Sequence, residues 1–383
     1  MPNIEGIEKK HAFWGGLKID WLLFFSAIAI ACFGLVTMSS FSSSDIYFEK
    51  QIIWLCVSVS VFFFLSSLDY GFLKKTKVVV IIYLFAAFLL GVLYVLGHTA
   101  KGAQSWFNFG GISFQPSDLA KLALIIILAK YFSKRHVEIA NIRHILVSGI
   151  YAFIIFSLIL FQPAFGDAAI VFFIWLGMIL VSGVSKKHLF LVFLAGAITF
   201  SLLWVYGLKD YQKNRIINFI HPLADTTGSG YNAYQSTIAI GSGQVFGKGI
   251  GYGTQSRLKF LPEYKTDFVF AAFAEEWGLI GVGILFLFFG IMIWRIITAA
   301  YLGATNFEIL FGLGLATMFM SHFIVNVGMT LGLMPVTGIN FPFMSYGGTN
   351  LLFSFSGLGI LMGMRKYARS AHKDETKNEF LGL

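Results

Sequence analysis

Along the chain, long apolar runs alternate with short polar clusters in which the lysines and arginines gather. A helix needs about 20 mostly apolar residues to cross about 30 Å of hydrocarbon at a rise of about 1.5 Å per residue. Ten runs reach that length, at approximately 19–38, 49–67, 77–97, 116–133, 144–162, 166–184, 188–207, 268–294, 307–334 and 347–366. The fourth is the least apolar, because it carries Asp118, Lys121 and Lys130. The pattern predicts an all-α polytopic membrane protein with a polar N-terminal tail over 1–18, a single ten-helix domain over 19–366 and a polar C-terminal tail over 367–383. One loop, 208–266 between the seventh and eighth spans, is far longer than the others, and a loop of that length in a compact bundle is usually functional. The N-terminal tail is polar as far as Lys18 and no small-residue cleavage site follows the first run, so the first span is expected to act as its own insertion signal.

Composition agrees with this outline. Of 383 residues, 57% are hydrophobic, 17% aromatic and only 12% charged, with a mean hydropathy of +0.76. A soluble chain carries roughly a quarter charged residues, so a water-soluble enzyme is excluded. Cys32 and Cys56 both fall inside apolar runs, which leaves no disulfide or thiolate zinc framework. The net charge of +9 sits in clusters between spans, the pattern of orientation signals and lipid head-group contacts rather than of a nucleic-acid binder. With the N-terminus in the cytoplasm, that side receives Lys9, Lys10, Lys18, Lys74, Lys75, Lys77, Lys134, Arg135, Arg143, Lys186, Lys187, Arg295 and the cations of the C-terminal tail. The opposite short loops hold little beyond Lys50 and Lys101, so both termini are expected to be cytoplasmic and the long loop extracytoplasmic.

The long loop is basic, with Lys209, Lys213, Arg215, Lys248, Arg257, Lys259 and Lys265 against Asp210, Asp225 and Glu263. It is also rich in glycine, which lets backbone N–H groups approach an anion. An anion site and a surface loop resting on lipid phosphates both fit. The sharper signal is F-L-P-E-Y-K-T-D-F-V-F-A-A-F-A-E-E-W-G, Phe260 to Gly278. Asp267 stands where the loop enters the eighth span, as a helix cap or as a catalytic acid or base. Glu275 and Glu276 fall about two and a half turns further on, where a charge is costly and is expected to face a cavity or a Lys or Arg of a neighbouring span. In F-Q-P-S-D-L-A-K, Asp118 and Lys121 are three apart on one helical face, as an ion pair or as a pair whose lysine also binds phosphate. Trp106 reads as an interfacial anchor, and His322 and Asn326, four apart, as interhelical hydrogen-bonding residues.

Six segments in order resemble the SEDS family (shape, elongation, division and sporulation) of peptidoglycan glycosyltransferases. They are K-G-A-Q-S-W, F-Q-P-S-D-L-A-K, Q-P-A-F-G, G-S-G-Y-N-A-Y-Q-S-T-I-A-I-G-S-G, the run from G-T-Q-S-R-L-K to A-E-E-W-G, and L-M-P-V-T-G-I-N-F-P-F-M-S-Y-G-G-T-N. The wording is closer to the elongation branch than to the division branch. Three positions depart from the family pattern: Ala164 stands where an acid is usual and an acid appears instead at Asp167, Ser105 replaces an arginine, and Asp118 replaces a glutamate.

The resemblance implies a polymerase of lipid II, with undecaprenyl-diphosphate-linked glycan as donor and lipid II as acceptor, in the bacterial cytoplasmic membrane. An α-linked diphosphate that becomes a β-1,4 bond calls for one inverting displacement, which needs a general base and positive charge at the leaving diphosphate. Asp267 aligns with the family's essential acid. The residues it implies for substrate are Lys101, Gln115, Asp118, Lys121, Arg215, Lys248, Gln255, Ser256, Glu263, Lys265, Thr266, Ser345 and Tyr346, with Lys121, Arg215, Lys248 and Lys265 assigned to the diphosphate. Assistance by Mg²⁺ or Mn²⁺ stays open. The implied partners are a class B penicillin-binding protein and membrane proteins of an elongation complex. A lipid-precursor flippase and a non-catalytic scaffold are the alternatives; a transporter would concentrate its polar residues at the midplane, often in repeated halves.

Overall fold

The computed structural model describes residues 19–40, 46–100, 103–109, 112–134, 142–207, 210–220 and 228–381. The predicted tail over 1–18, together with Lys101, Lys209 and Asp225, lies outside them.

Each of the ten apolar runs folds as helix: α1 (Trp21–Ser39), α2 (Ile46–Ser67), α3 (Thr76–Leu96), α4 (Pro116–Ser133), α5 (Ile142–Phe161), α6 (Phe165–Val181), α7 (Lys186–Leu202), and, after three helices of the long loop, α11 (Val269–Tyr301), α12 (Asn306–Thr330) and α13 (Gly348–Leu381). Among the described residues, seven helices are long and apolar enough to cross a membrane, and α6 is a shorter apolar helix. The outer faces are apolar, with Phe25, Phe64, Phe88, Phe153 and Phe190 all more than half exposed. Apolar surface on that scale is what a lipid solvent, not water, would cover. This is a multi-pass membrane protein.

The polar fourth run becomes the central helix. α4 packs on α3, α5, α6, α12 and α13, and almost its whole length is buried, Asp118 and Lys121 included. That placement explains how it tolerates ions: Asp118 and Lys121 face the core of the bundle. At one end of the bundle Asp20 caps α1 by accepting from the Leu23 amide at 3.2 Å and binds Arg295 of α11 and Arg365 of α13. The opposite end carries the larger connections. Strands β1 (His98–Ala100), β2 (Ala103–Phe109) and β3 (Ile112–Phe114) form a small antiparallel sheet there, so Trp106 is a strand residue paired across from His98. The long loop contributes α8 (Asp210–Ile220), α9 (Ser229–Ser242) and α10 (Thr254–Arg257). The predicted C-terminal tail continues the helix of α13 to Leu381.

The eighth run departs most from expectation. α11 is two helices meeting at Gly278, whose φ of 65° and ψ of −167° are not helical. The loop after α9 fills the break: the amides of Lys248 and Gly249 bond the carbonyls of Glu275 and Glu276 at 3.0 Å, and those of Leu279 and Ile280 bond Gln244 and Val245 at 2.9 and 3.1 Å. Four peptide groups freed by the break thus find partners in the loop, as burial requires. A Cβ at Gly278 would lie 2.2 Å from the Gly247 nitrogen, so close backbone contact as well as positive φ demands glycine.

The break also decides what surrounds the two glutamates. The half from Leu279 to Tyr301 is itself long enough to span, at about 1.5 Å per residue. Glu275 and Glu276 lie on the other side of the break, and Glu276 accepts from the Gly251 amide, which lies beside the Ser40 carbonyl at the far end of α1. Both carboxyls are held by the loop that fills the break, Glu275 by Lys248 and Glu276 by the Gly251 amide.

Candidate active site

Three consecutive carbonyls ending at Asp267 are each anchored, two from one loop and one from α12. The Lys265 carbonyl accepts from the Tyr346 amide at 2.8 Å, that of Thr266 from the Ser345 hydroxyl at 2.6 Å, and that of Asp267 from Asn326 Nδ2 at 2.9 Å. From the other side, the Glu263 carbonyl accepts the amides of Thr266 and Phe268, both at 3.1 Å. Thr266 Oγ1 also bonds Glu263 Oε2 at 2.9 Å, and Glu263 takes a φ of 52° to close this tight turn. Left-handed backbone at a non-glycine residue persists where surrounding contacts over-determine it. Asp267 directly precedes Phe268, the N-cap of α11. Its side chain is half-buried, with Oδ2 facing Gly338, where an added Cβ would approach to 3.5 Å.

The segment from Ile339 to Tyr346 is secured by α12. Asn326 Nδ2 also donates to the Ile339 carbonyl at 2.6 Å, and one turn earlier His322 Nδ1 lies 3.4 Å from the Asn340 carbonyl. The hydrogen-bonding role expected of these two residues is thus met, with loop carbonyls as partners. Ser345 is buried and accepts from the Phe341 amide at 2.8 Å, which makes it a fastener of two loops.

Lys265 stands beside this turn. Its ammonium lies 4.7 Å from the Tyr47 ring and 5.3 Å from the Tyr264 ring, and Tyr346 packs edge-on to Tyr47 at 5.1 Å. Burial holds the ammonium below the usual lysine range, and the aromatic faces stabilise it in place. Sequence reasoning missed Tyr47 and Tyr264, since nothing in their spacing ties them to Lys265.

The remaining predicted residues divide by location. Lys121, only 2% exposed, reaches Asp118 at 2.8 Å and Asp167 at 2.9 Å, and lies 3.4 Å from His322 Nε2. Gln115 and Ser117 donate to Asp167 Oδ2 at 2.7 and 3.0 Å. The acid displaced to position 167 therefore meets the lysine, and the expected pair is a triad. Lys248 is bound to Glu275 at 2.8 Å and to Thr254 Oγ1 at 2.7 Å. Glu275, fully buried, also accepts the amides of Gln255 and Ser256 at 2.9 and 3.3 Å. Its partner is thus a lysine of the long loop, not one from a neighbouring span. Arg215 lies on α8, which packs on α9. Among the described residues no group of three or more His, Cys, Asp or Glu side chains is placed to hold a metal ion.

A family model described as "Cell cycle protein" and covering FtsW, RodA and SpoVE matches residues 18–370. The peptidoglycan glycosyltransferase MrdB of Escherichia coli K12 is 31% identical over 95% of this chain and 98% of its own. Stage V sporulation protein E of Bacillus subtilis is 33% identical over 91% and 98%. The crystal structure of Thermus thermophilus rod shape determining protein RodA superposes with a TM-score of 0.69 at 29% identity, over 92% of this chain and 98% of that one. A chain from a peptidoglycan synthase complex that coordinates polymerization and crosslinking reaches 0.79 at 29% identity, over 92% and 99%. With a family model matched over nearly its whole length and the same helical fold, the chain belongs to the FtsW/RodA/SpoVE family.

Proposed function

We propose that this protein is a peptidoglycan glycosyltransferase that extends glycan strands from lipid II in cell-wall elongation, with Asp267 as general base. The observation that carries the reading is the pinning of the carbonyls of Lys265, Thr266 and Asp267 by Tyr346, Ser345 and Asn326. A carboxylate whose backbone is fixed on both sides has little freedom to lose when substrate arrives, and such positioning is what proton transfer in a displacement requires.

In this reaction the 4-hydroxyl of the acceptor GlcNAc attacks the anomeric carbon of the donor glycan. Asp267 takes the hydroxyl proton as the new C–O bond forms and the bond to the undecaprenyl diphosphate breaks, with inversion. Of the four cations assigned to the leaving group, Lys121 and Lys248 are already bound to buried carboxylates. Lys265 stands two residues from the base and is held between the tyrosine rings of Tyr47 and Tyr264, which keeps a positive charge beside the reacting acid. No step is assigned to a metal.

The concentration of lysine and arginine in the loops on the Asp20 side supports a bacterial cytoplasmic membrane protein with both termini in the cytoplasm and Asp267 facing outward. This chain forms glycosidic bonds; crosslinking falls to a partner transpeptidase of the class B penicillin-binding type. The likeness to a chain of a synthase complex supports that division of labour.

The test is polymerisation of purified lipid II by reconstituted protein, with and without a candidate transpeptidase. Asp267→Asn should lose about 10²-fold or more of the activity while inserting and folding normally. A variant that keeps half of the wild-type rate removes Asp267 from the mechanism; one that is inactive yet still moves lipid precursors across the bilayer points to a flippase.

A further inference from the structure

The loop that fills the break of α11 turns apolar side chains away from the bundle. Phe246 is 82% exposed, and Val245 beside it is exposed as well. The carbonyls of Gln244 and Val245 accept from the amides of Leu279 and Ile280, which fixes the pair next to those two residues. Leu279 and Ile280 are themselves exposed, and with Leu287 they belong to the apolar outer face of α11. Val245 and Phe246 therefore extend the belt that lipid covers, although they belong to a loop. Irregular backbone is tolerated in a bilayer only where protein meets its polar groups. Here the Gly247 amide bonds the Gly243 carbonyl at 2.8 Å, and the Lys248 and Gly249 amides bond Glu275 and Glu276 at 3.0 Å, so the break in the helix supplies partners along 244–249.

The depth of the pair can be counted along α11. Trp21 and Trp294 are exposed beside the Asp20–Arg295 pair, and exposed tryptophans next to charges mark a membrane–water boundary. From Trp294 back to Leu279 the helix runs unbroken for 15 residues, a height of about 22 Å. The hydrocarbon layer is about 30 Å thick, and any tilt of α11 shortens the height further. Val245 and Phe246, level with Leu279 and Ile280, thus fall short of the opposite boundary.

We propose that Val245 and Phe246 are inserted among the acyl chains of the leaflet away from the Asp20 end, as a re-entrant part of a loop that hydropathy alone puts wholly outside the membrane. The occupant of this face is lipid, because the face continues the lipid-covered surface of α11 with the same apolar composition and exposure. Insertion ties the segment that follows, α10 and the turn bearing Asp267, to a set height over that leaflet. The inference stands whatever reaction Asp267 serves.

The test uses the full chain lacking Cys32 and Cys56, with a nitroxide attached through Val245→Cys, Phe246→Cys, Leu287→Cys or Arg257→Cys. Each protein is reconstituted at large lipid excess in vesicles of phosphatidylethanolamine and phosphatidylglycerol. Electron paramagnetic resonance then reads collisions with oxygen, which concentrates in hydrocarbon, and with a water-soluble nickel chelate, which stays out of it. The oxygen-to-nickel collision ratio at positions 245 and 246 should match that at Leu287 on the lipid face and exceed severalfold that at Arg257, exposed on α10. Either position serves if the variant at the other fails to fold. A ratio as low as that at Arg257 puts the loop in water and overturns the proposal. So does shielding from both reagents, which would mean that a second copy of the chain, not lipid, covers the face.

Discussion

Lys121 of α4 and Asp167 of α6 meet at 2.9 Å in the centre of the bundle, with Asp118 on the lysine's other side at 2.8 Å. Two carboxyl groups share one ammonium, with Gln115 and Ser117 donating to Asp167 and Asn350 approaching Asp118 at 3.5 Å. Buried ion clusters gain little over apolar packing, but removing one member strands the others at high cost. The triad therefore fastens α4 to α6 and to the start of α13.

That arithmetic sets the first prediction. Lys121→Gln should destabilise the protein by about 3–5 kcal/mol, whereas Asp118→Asn, which leaves the Lys121–Asp167 pair whole, should cost far less. The double change Asp118→Asn with Lys121→Gln should not recover, because Asp167 stays buried without a cation. Only the triple change that adds Asp167→Asn should restore stability, a non-additivity measurable by thermal unfolding in detergent. A triple variant that is stable but cannot polymerise lipid II would show that Lys121 also serves the substrate.

A second prediction separates the two partners of the loop clamp. Glu275 is fully buried and gathers Lys248, Thr254 and two backbone amides. Glu275→Ala should release residues 248–257 and cost about 3–5 kcal/mol, as loss of a buried hub does. Lys248→Met should cost less, since the amides of Gln255 and Ser256 still hold the carboxylate. Hydrogen exchange over 248–257 should rise sharply in the first variant and modestly in the second; the reverse order would make Lys248 the hub.

Gly278 supplies a third. Its φ of 65° and its approach to Gly247 leave no room for a side chain, so Gly278→Ala should prevent the loop from docking into the break of α11. We expect a sharp drop in folded protein and in polymerisation, while Gly283→Ala, where an added Cβ meets nothing within 4 Å, should behave as wild type. Equal behaviour of the two variants would mean that the break can straighten at little cost.

These residues also mark what could be read from the chain. The spans were legible because a 20-residue apolar run has few alternatives to a helix in a bilayer. The break at Gly278 was not, because a single glycine in an apolar run gives no periodic signal and the loop that fills the gap arrives from about 30 residues upstream. Helical spacing gave the Asp118–Lys121 half of the triad; Asp167 is 46 positions away from Lys121, and only the fold unites them. Asp267 was found through its motif, and the anchors Tyr346, Ser345 and Asn326 that give it a fixed geometry come from distant segments.

Orientation gives a fourth prediction. In a background lacking Cys32 and Cys56, a cysteine at Ser242 should react with a membrane-impermeant maleimide in intact cells, and one at Ser370 should react only after permeabilisation. The opposite pattern would put Asp267 on the cytoplasmic side, away from the proposed substrates.

The last prediction concerns Asp20, which both caps α1 and receives Arg295 and Arg365. Burial pushes this carboxyl upward, but the two guanidiniums and the Leu23 amide outweigh it and hold it below the usual carboxylate range. A lowered folded value means stability that is present above the unfolded value of about 3.9 and lost as pH falls through the folded one, so the latch is intact at neutral pH and opens only in acid. Asp20→Asn keeps the cap but leaves two guanidiniums facing each other, and should cost about 3–5 kcal/mol at pH 7. Asp20→Ala should cost about 1 kcal/mol more, the worth of the lost cap. Unfolding of the three proteins compared at pH 7 and pH 3 decides it, because protonation should bring the wild type toward Asp20→Asn. A gap between them that is unchanged at pH 3 would mean that the carboxylate's charge is not what holds α1, α11 and α13 together at this end.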